Sequence, residues 1–189
     1  MMNKTNKIKN PWKTISSREI YRNQWLRLRE DQIVTPGGKK GIYGVVETTP
    51  AIAIIPLTND LKTYLVGQYR YPLNTYSWEI PEGGANPAES NINAAKRELR
   101  EETGLVAGRW TYLDSIYTSN SITNETGHIY LAEDLQQGPS EPEHTEDLQI
   151  RIVPFLEAYS KVQQFEIKDA LAIIGIMRVY QLLQRQERI

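Results

Sequence analysis

Three glutamates on one short stretch of the chain have the type and spacing of a cation site. Glu98, Glu101 and Glu102 lie three and four residues apart, and residues at these separations share one face of an α-helix. Carboxylates crowded in this way repel one another unless a positive charge lies among them. Magnesium prefers a few carboxylate ligands together with water and substrate phosphates. The spacing therefore predicts a Mg²⁺ site, which Mn²⁺ can also fill.

The residues around these glutamates favour the same interpretation. Arg97 precedes them and can orient or partly neutralise their carboxylates. Gly83 and Gly84 allow the preceding loop to bring a backbone carbonyl close to the helix, and Gly104 allows the chain to leave the helix sharply. The alternative is that a run of arginines and glutamates forms only a solvated helix face, which is the commoner origin of such a run.

The joint spacing of nine residues separates these alternatives. The nine are Gly83, Glu89, Arg97, Glu98, Leu99, Glu101, Glu102, Gly104 and Leu105. Together they resemble, without one exception, the signature of the Nudix hydrolases. The resemblance implies an α/β fold, the Nudix-type α/β/α sandwich with a mixed sheet, to which this chain adds an N-terminal β-strand arm. It also implies a loop-helix-loop segment that binds divalent metal and hydrolyses a nucleoside diphosphate linked to another group.

The resemblance also implies roles for single residues of this segment. Glu98 and Glu102 would bind the metal directly, and Glu101 would be a ligand or a catalytic partner of the ligands. The backbone carbonyl of Glu82 would be an additional metal ligand. Arg97 would support the carboxylates during catalysis.

A looser resemblance covers most of residues 17–185. The segments 68–72 and 78–83 look like the branch of the family that hydrolyses ADP-ribose and nucleoside diphosphate sugars. In that branch the N-terminal strands form an exchanged dimer arm that completes the neighbour's site. The resemblance therefore implies a homodimer whose small-molecule partner is a nucleotide sugar.

This branch implies three substrate-binding residues. Arg70 would reach a substrate phosphate or the terminal sugar, and Glu79 would hold the nucleoside side. The alternative for these two is a simple ion pair with each other. Tyr43 stands where some relatives have an arginine that flanks the base, so the preferred base stays open.

A loop after the later strands usually carries the catalytic base in this branch. The acidic segment 141–147 is such a loop, in which Glu146 matches the base position best and Glu143 comes second. The alternative is an acidic loop without a catalytic role.

Two departures from the pattern of this branch affect the expected substrate preference. Glu82 replaces a commonly small residue, and Asn120 replaces a proline associated with ADP-ribose hydrolysis. We therefore expect the preference to lean from ADP-ribose toward other diphosphate sugars.

The predicted reaction releases a nucleoside monophosphate and a sugar phosphate. A hydrolase of nucleoside triphosphates or dinucleotides is the alternative within the family, and release of pyrophosphate would indicate it. A sensing module that binds ADP-ribose-like molecules without cleaving them is a third hypothesis. The complete set of glutamates in the signature argues against it.

Composition excludes several other classes of function. The 189 residues carry a formal net charge of -1, so the chain lacks the basic surface expected of a nucleic-acid-binding protein. It has no cysteine, which excludes disulfides and thiol catalysis and is compatible with a cytoplasmic location. No segment approaches the roughly 20 apolar residues needed to cross a bilayer. We expect neither nucleic acid nor membrane as a partner.

The elements that must position these residues follow from the hydrophobic pattern. Residues 1–13 are predicted to be a flexible tail, 14–49 a β arm used for dimerisation, and 50–189 the hydrolase domain. The apolar run 51–57 predicts a central strand. A polar, proline-bounded stretch, 72–86, precedes the first helix, and no strand is assigned to it.

Helices are predicted on both sides of the later strands. The first covers residues 88–103, with Pro87 in its first turn, and ends at Gly104. A terminal helix covers residues 168–185. In this terminal helix the spacing of Ile173, Met177 and Tyr180 predicts the packing face.

Overall fold

The computed structural model describes residues 9–138 and 148–189, which form ten β-strands and three α-helices. In chain order they are β1 (Lys13–Arg22), β2 (Leu26–Val34), β3 (Lys40–Thr48), β4 (Ala51–Pro56), β5 (Lys62–Arg70), β6 (Thr75–Glu79), β7 (Glu82–Gly84), α1 (Asn91–Thr103), β8 (Leu105–Tyr117), β9 (Thr126–Gln137), β10 (Gln149–Pro154), α2 (Phe155–Gln163) and α3 (Ala170–Arg185). They divide into two compact units. Of the described residues, one unit contains 9–48 together with Ser119–Glu125, and the other contains Thr49–Thr118 and those of Thr126–Ile189.

The first unit is an antiparallel sheet in the order β1-β2-β3. The turn between β2 and β3 uses Gly38 at a φ of 81°, a conformation that glycine adopts without steric cost. Glu47 on β3 forms ion pairs with Arg27 and Arg29 of β2, with nitrogen–oxygen distances of 2.9 and 2.8 Å. The predicted N-terminal β-strand arm is therefore present.

The second unit contains a four-stranded sheet in the order β7-β4-β9-β8, in which β4 and β9 are parallel and the other pairs antiparallel. Successive side chains of a strand point to opposite faces of the sheet. Ile52 and Ile54 of β4 accordingly join the core beneath α1, whereas Ala53 and Ile55 join the core beneath α2 and α3. This arrangement of helices on both faces of a mixed sheet confirms the predicted α/β/α fold.

A second sheet of the same unit has the order β10-β5-β6 and is antiparallel. Leu65 and Val153 bury its inner face in the core shared with α2 and α3. Strands β6 and β7 lie in residues 72–86, to which the sequence analysis assigned no strand. The segment Glu82–Gly84 is extended because it pairs with Ala51–Ala53 of β4, a contact that no local pattern announces.

Helix α1 begins three residues later than predicted. Ala88 has a φ of 66°, which is outside the helical region, so the expected start at Ala88 with Pro87 in the first turn is wrong. The helix begins at Asn91, and the hydroxyl of Ser90 caps it by accepting the N–H of Asn93 at 3.4 Å. The predicted end is confirmed, since Gly104 has a φ of 72° and its N–H donates to the carbonyl of Arg100.

The packing face predicted for α3 is correct only in part. Ile173 and Tyr180 are partly buried against the core, but Met177 is 39% exposed, and the fully buried stripe consists of Ala172, Ile176, Val179 and Leu183. The helix is rotated by one residue relative to the expectation because the small side chains Ala172 and Gly175 let it approach the sheet. Among the described residues no helix is both long enough and apolar enough to cross a membrane.

Candidate active site

Arg97 connects the acidic face of α1 to the strand that precedes it. Its Nη1 donates to Glu98 Oε1 at 2.7 Å and to Glu101 Oε2 at 2.8 Å. Its Nη2 donates to the backbone carbonyl of Gly84 at 2.8 Å and to Glu89 Oε2 at 3.1 Å. Burial on its own would lower the pKa of Arg97, but the ion pairs with Glu89 and Glu98 raise it above its usual value. The guanidinium therefore stays charged and fixes three carboxylates at once.

Glu98 lies against the backbone of β7 at a place where only glycine fits. A Cβ atom on Gly83 would lie 2.2–2.4 Å from the carboxylate atoms of Glu98. The neighbouring Gly84 has more room, since its nearest atom would be Thr49 Oγ1 at 3.5 Å. The signature glycine at position 83 thus creates the space that the carboxylate of Glu98 occupies.

Glu102 is anchored one turn further along the same face. Its Oε2 accepts the backbone N–H of Glu82 at 3.1 Å, and the residue is only 3% exposed. Glu98 is 9% exposed. Two largely buried carboxylates thus lie one helical turn apart, beside the backbone of residues 82 and 83, which agrees with the face predicted from their spacing.

This donor set fits a divalent cation. Mg²⁺ and Mn²⁺ prefer carboxylate and carbonyl oxygens, and burying two carboxylates is unfavourable unless a cation or hydrogen-bond donors compensate their charge. In this structure the compensation comes from Arg97 and from the N–H of Glu82. Within residues 9–138 and 148–189, no three acidic or histidine side chains converge as a preformed ligand cluster.

The two predicted substrate residues Arg70 and Glu79 are paired with each other. Arg70 Nε lies 3.0 and 3.1 Å from the two carboxylate oxygens of Glu79, which is 3% exposed. The ion pair between Arg70 and Glu79, which the sequence analysis gave as the alternative to substrate binding, is therefore present. Arg70 Nη2 also donates to the side chain of Glu82 at 2.7 Å, a contact that the sequence analysis missed. Because the N–H of Glu82 binds Glu102, this arginine cluster is continuous with the acidic face of α1.

The carboxyl of Glu82 is strongly perturbed by its surroundings. Burial raises the pKa of its carboxyl well above the usual value, and repulsion by Asp169 and Glu79 raises it further. Asp169, which the sequence analysis did not single out, also caps α3 by accepting the N–H of Ala172 at 2.7 Å. Its position before a helix could have suggested the cap, but only the fold brings it near Glu82.

The two remaining predicted site residues are Tyr43 and Glu146. Tyr43 belongs to the first unit, where its hydroxyl donates to the carbonyl of Ser121 at 2.7 Å and its ring meets Trp12 edge-on at 5.6 Å between centroids. Glu146, like its alternative Glu143, lies outside the described residues. The contacts of the second unit thus connect Arg70, Glu79, Glu82 and Glu102. Arg97 joins Glu98 to Glu101 on the same face of α1.

Family models and known proteins match most of the length of this chain. A model described as the NUDIX domain matches residues 47–172, and one described as the nucleoside diphosphate sugar hydrolase N-terminal domain matches residues 12–46. The chain is 35% identical over 172 residues to an ADP-ribose pyrophosphatase of Mycobacterium tuberculosis, covering 89% of this chain and 83% of that protein. It is 31% identical over 179 residues to an ADP-ribose pyrophosphatase of Bacillus subtilis, covering 93% and 97%.

A solved structure shares the fold. The crystal structure of an ADP compounds hydrolase superposes with a TM-score of 0.84 and covers 97% of this chain and 100% of that one. The sequence identity is 22%, so the likeness concerns the arrangement of strands and helices.

Proposed function

The chain belongs to the Nudix hydrolase family, and we propose that it is a Mg²⁺-dependent pyrophosphatase of ADP-ribose or another nucleoside diphosphate sugar. The observation that carries the proposal is the pair of largely buried carboxylates, Glu98 and Glu102, beside the backbone of β7. Such a pair next to backbone oxygens suits a cation that binds a diphosphate. The products are a nucleoside monophosphate and a sugar phosphate.

The metal residues in this proposal are Glu98, Glu101 and Glu102 with the backbone carbonyl of Glu82. A divalent cation, when bound there, supplies positive charge against the diphosphate oxygens and makes the attacking water more acidic. Arg97 holds Glu98 and Glu101 in place through its two short contacts. We assign Arg97 a positioning role, because its guanidinium is occupied by carboxylates and by the carbonyl of Gly84.

Glu146 is the proposed general base, which accepts the proton of the attacking water or orients it. Positioned proton transfer of this kind contributes roughly 10²–10⁴-fold to a rate. Arg70 and Glu79 are proposed to contact the substrate, and Tyr43 is proposed to lie beside the base.

The choice of substrate rests on the relatives. Two of them are named ADP-ribose pyrophosphatases, and the N-terminal region matches a model of nucleoside diphosphate sugar hydrolases. Asn120, in place of the proline described above, favours other diphosphate sugars over ADP-ribose. A hydrolase of nucleoside triphosphates or dinucleotides remains the alternative.

A homodimer is proposed because the arm exposes apolar side chains. Trp25 is 70% exposed, Ile42 64% and Ile15 57%, and all three lie in the first unit. Ile15 lies on β1, Ile42 on β3 and Trp25 in the turn between β1 and β2. Large exposed apolar side chains of this kind are typical of protein interfaces. The cytoplasmic location stays a prediction, with which the absence of cysteine is compatible.

A substrate panel tests the proposed reaction. The purified protein is incubated with Mg²⁺ and with ADP-ribose, other nucleoside diphosphate sugars, nucleoside triphosphates or dinucleotides, and the products are identified by chromatography. We expect a nucleoside monophosphate and a sugar phosphate from at least one diphosphate sugar. Release of pyrophosphate from triphosphates, with no cleavage of any diphosphate sugar, would contradict the proposal.

A further inference from the structure

A cavity of about 440 Å³ is lined by residues of helix α1 and strand β8. Lys96 and Arg100 of α1 are among them. Each lies two residues before one of the proposed metal ligands Glu98 and Glu102, and two residues of a helix span roughly 200° around its axis. The cavity therefore adjoins the side of α1 that is turned away from these two carboxylates. Its volume falls in the range of roughly 300–1,000 Å³ that is typical of small-molecule sites.

The wall that α1 contributes to this cavity is basic. The described residues that line it carry three positive charges, on Lys96, Arg97 and Arg100, and one negative charge, on Glu101. Glu101 is already paired with Arg97 at 2.8 Å. Lys96 is exposed and makes no ion pair within residues 9–138 and 148–189. The wall thus attracts an anion, and the ammonium of Lys96 can bind it without breaking an existing ion pair.

The wall that β8 contributes is apolar and contains Trp110. Residues 105–107 supply aliphatic side chains, and Trp110 is half-buried beside them. The indole N–H donates to the carbonyl of Ala107 at 3.2 Å, and the ring meets Tyr130 edge-on at 6.3 Å between centroids. Because the N–H is already used, Trp110 offers a ligand only the surface of a fixed ring. Such a ring is suited to stacking on another aromatic ring.

We propose that this cavity is a second binding site, which takes an aromatic ring system that carries a phosphate, the chemistry of a nucleoside monophosphate. Lys96 contacts the phosphate, and Trp110 contacts the ring. A purely apolar ligand would leave the basic wall without a counter-charge, whereas a simple anion would leave the apolar wall in water. The proposal goes beyond the proposed function, since this binding requires neither a divalent cation nor cleavage of a diphosphate.

The test separates the contribution of the phosphate from that of the ring. Dissociation constants of AMP and adenosine are measured by calorimetry at low ionic strength and in the presence of a chelator, so that no divalent cation contributes. The variants are Lys96→Ala, Trp110→Leu and Trp110→Phe. Lys39→Ala is the matched control, because Lys39 is also exposed but lies in the turn between β2 and β3. Thermal unfolding of each preparation reports whether the variant is folded.

The wild type is expected to bind AMP roughly tenfold or more tightly than adenosine, since only AMP carries the charge that Lys96 recognises. Lys96→Ala should lose most of this difference and bind adenosine as the wild type does. Trp110→Leu should weaken AMP binding roughly tenfold, as expected for the loss of a stacked ring. Trp110→Phe keeps an aromatic face and should retain most of the affinity. Lys39→Ala should bind AMP as the wild type does.

Several results would overturn this inference. A wild type that does not bind AMP contradicts it, and so does AMP binding that Lys96→Ala and Trp110→Leu leave unchanged, because the ligand would then lie elsewhere. An equal loss of AMP affinity in Lys39→Ala and Lys96→Ala would show that only the overall charge matters. Trp110 packs against the core, so Trp110→Leu can lose stability. If it does not fold, Lys96→Ala decides, since its side chain is exposed.

Discussion

We expect Glu102→Gln to lower turnover of the best diphosphate sugar by more than roughly 100-fold, because losing a direct metal ligand should exceed the cost of losing an outer-shell partner. The fold should stay intact. Glutamine keeps an oxygen that can accept the N–H of Glu82, which Glu102 accepts at 3.1 Å. Replacing one carboxylate by an amide also reduces repulsion with Glu98. Initial rates with Mg²⁺ and thermal unfolding of the same preparations measure the two effects.

Glu133→Gln is the matched control for this prediction. Glu133 and Glu102 are 5% and 3% exposed and lie in the same unit, but Glu133 pairs with Arg109 and Arg188. The control should keep wild-type turnover. If Glu102→Gln turned over as fast as the wild type, the assignment of Glu102 to the metal would be wrong.

A second large effect is expected from adding one methyl group beside Glu98. In Gly83→Ala the new Cβ would lie 2.2–2.4 Å from the carboxylate of Glu98, so that side chain must move. The displaced atoms are the end of a flexible side chain, so we expect little loss of stability. The movement takes a proposed ligand out of position, and turnover should fall by more than roughly 100-fold.

Gly84→Ala provides the comparison. Its added Cβ would meet Thr49 Oγ1 at 3.5 Å, an ordinary contact, and the carbonyl that accepts from Arg97 is unchanged. We expect this variant to keep most of its turnover. Equal losses of turnover in the two alanine variants would show that the loop, and not the position of Glu98, limits the reaction.

The acidic face of α1 could be predicted because it depends on local geometry. The shared face of Glu98, Glu101 and Glu102 follows from the helical repeat alone. Arg97 lies one residue before Glu98 and four residues before Glu101, so its side chain can reach both. The end of α1 was also predictable, since Gly104 adopts the left-handed conformation that glycine tolerates.

Contacts between distant segments could not be predicted in this way. The sequence of Glu82–Gly84 favours a loop, but the segment is an extended strand because β4 pairs with it. The proximity of Asp169 to Glu82 joins residues that are far apart in the sequence. The buried stripe of α3 was misplaced by one residue because both choices offered apolar side chains, and the sheet selects the one with Ala172 and Gly175.

Titration with Mn²⁺, followed by its electron paramagnetic resonance signal, tests most directly whether Glu98 and Glu102 hold a divalent cation. The wild type should bind Mn²⁺, and excess Mg²⁺ should displace it. The double variant Glu98→Gln/Glu102→Gln should bind markedly less while its thermal unfolding stays close to that of the wild type. Undiminished Mn²⁺ binding by the folded double variant, or none by the wild type, would contradict the assignment of this helix face to metal.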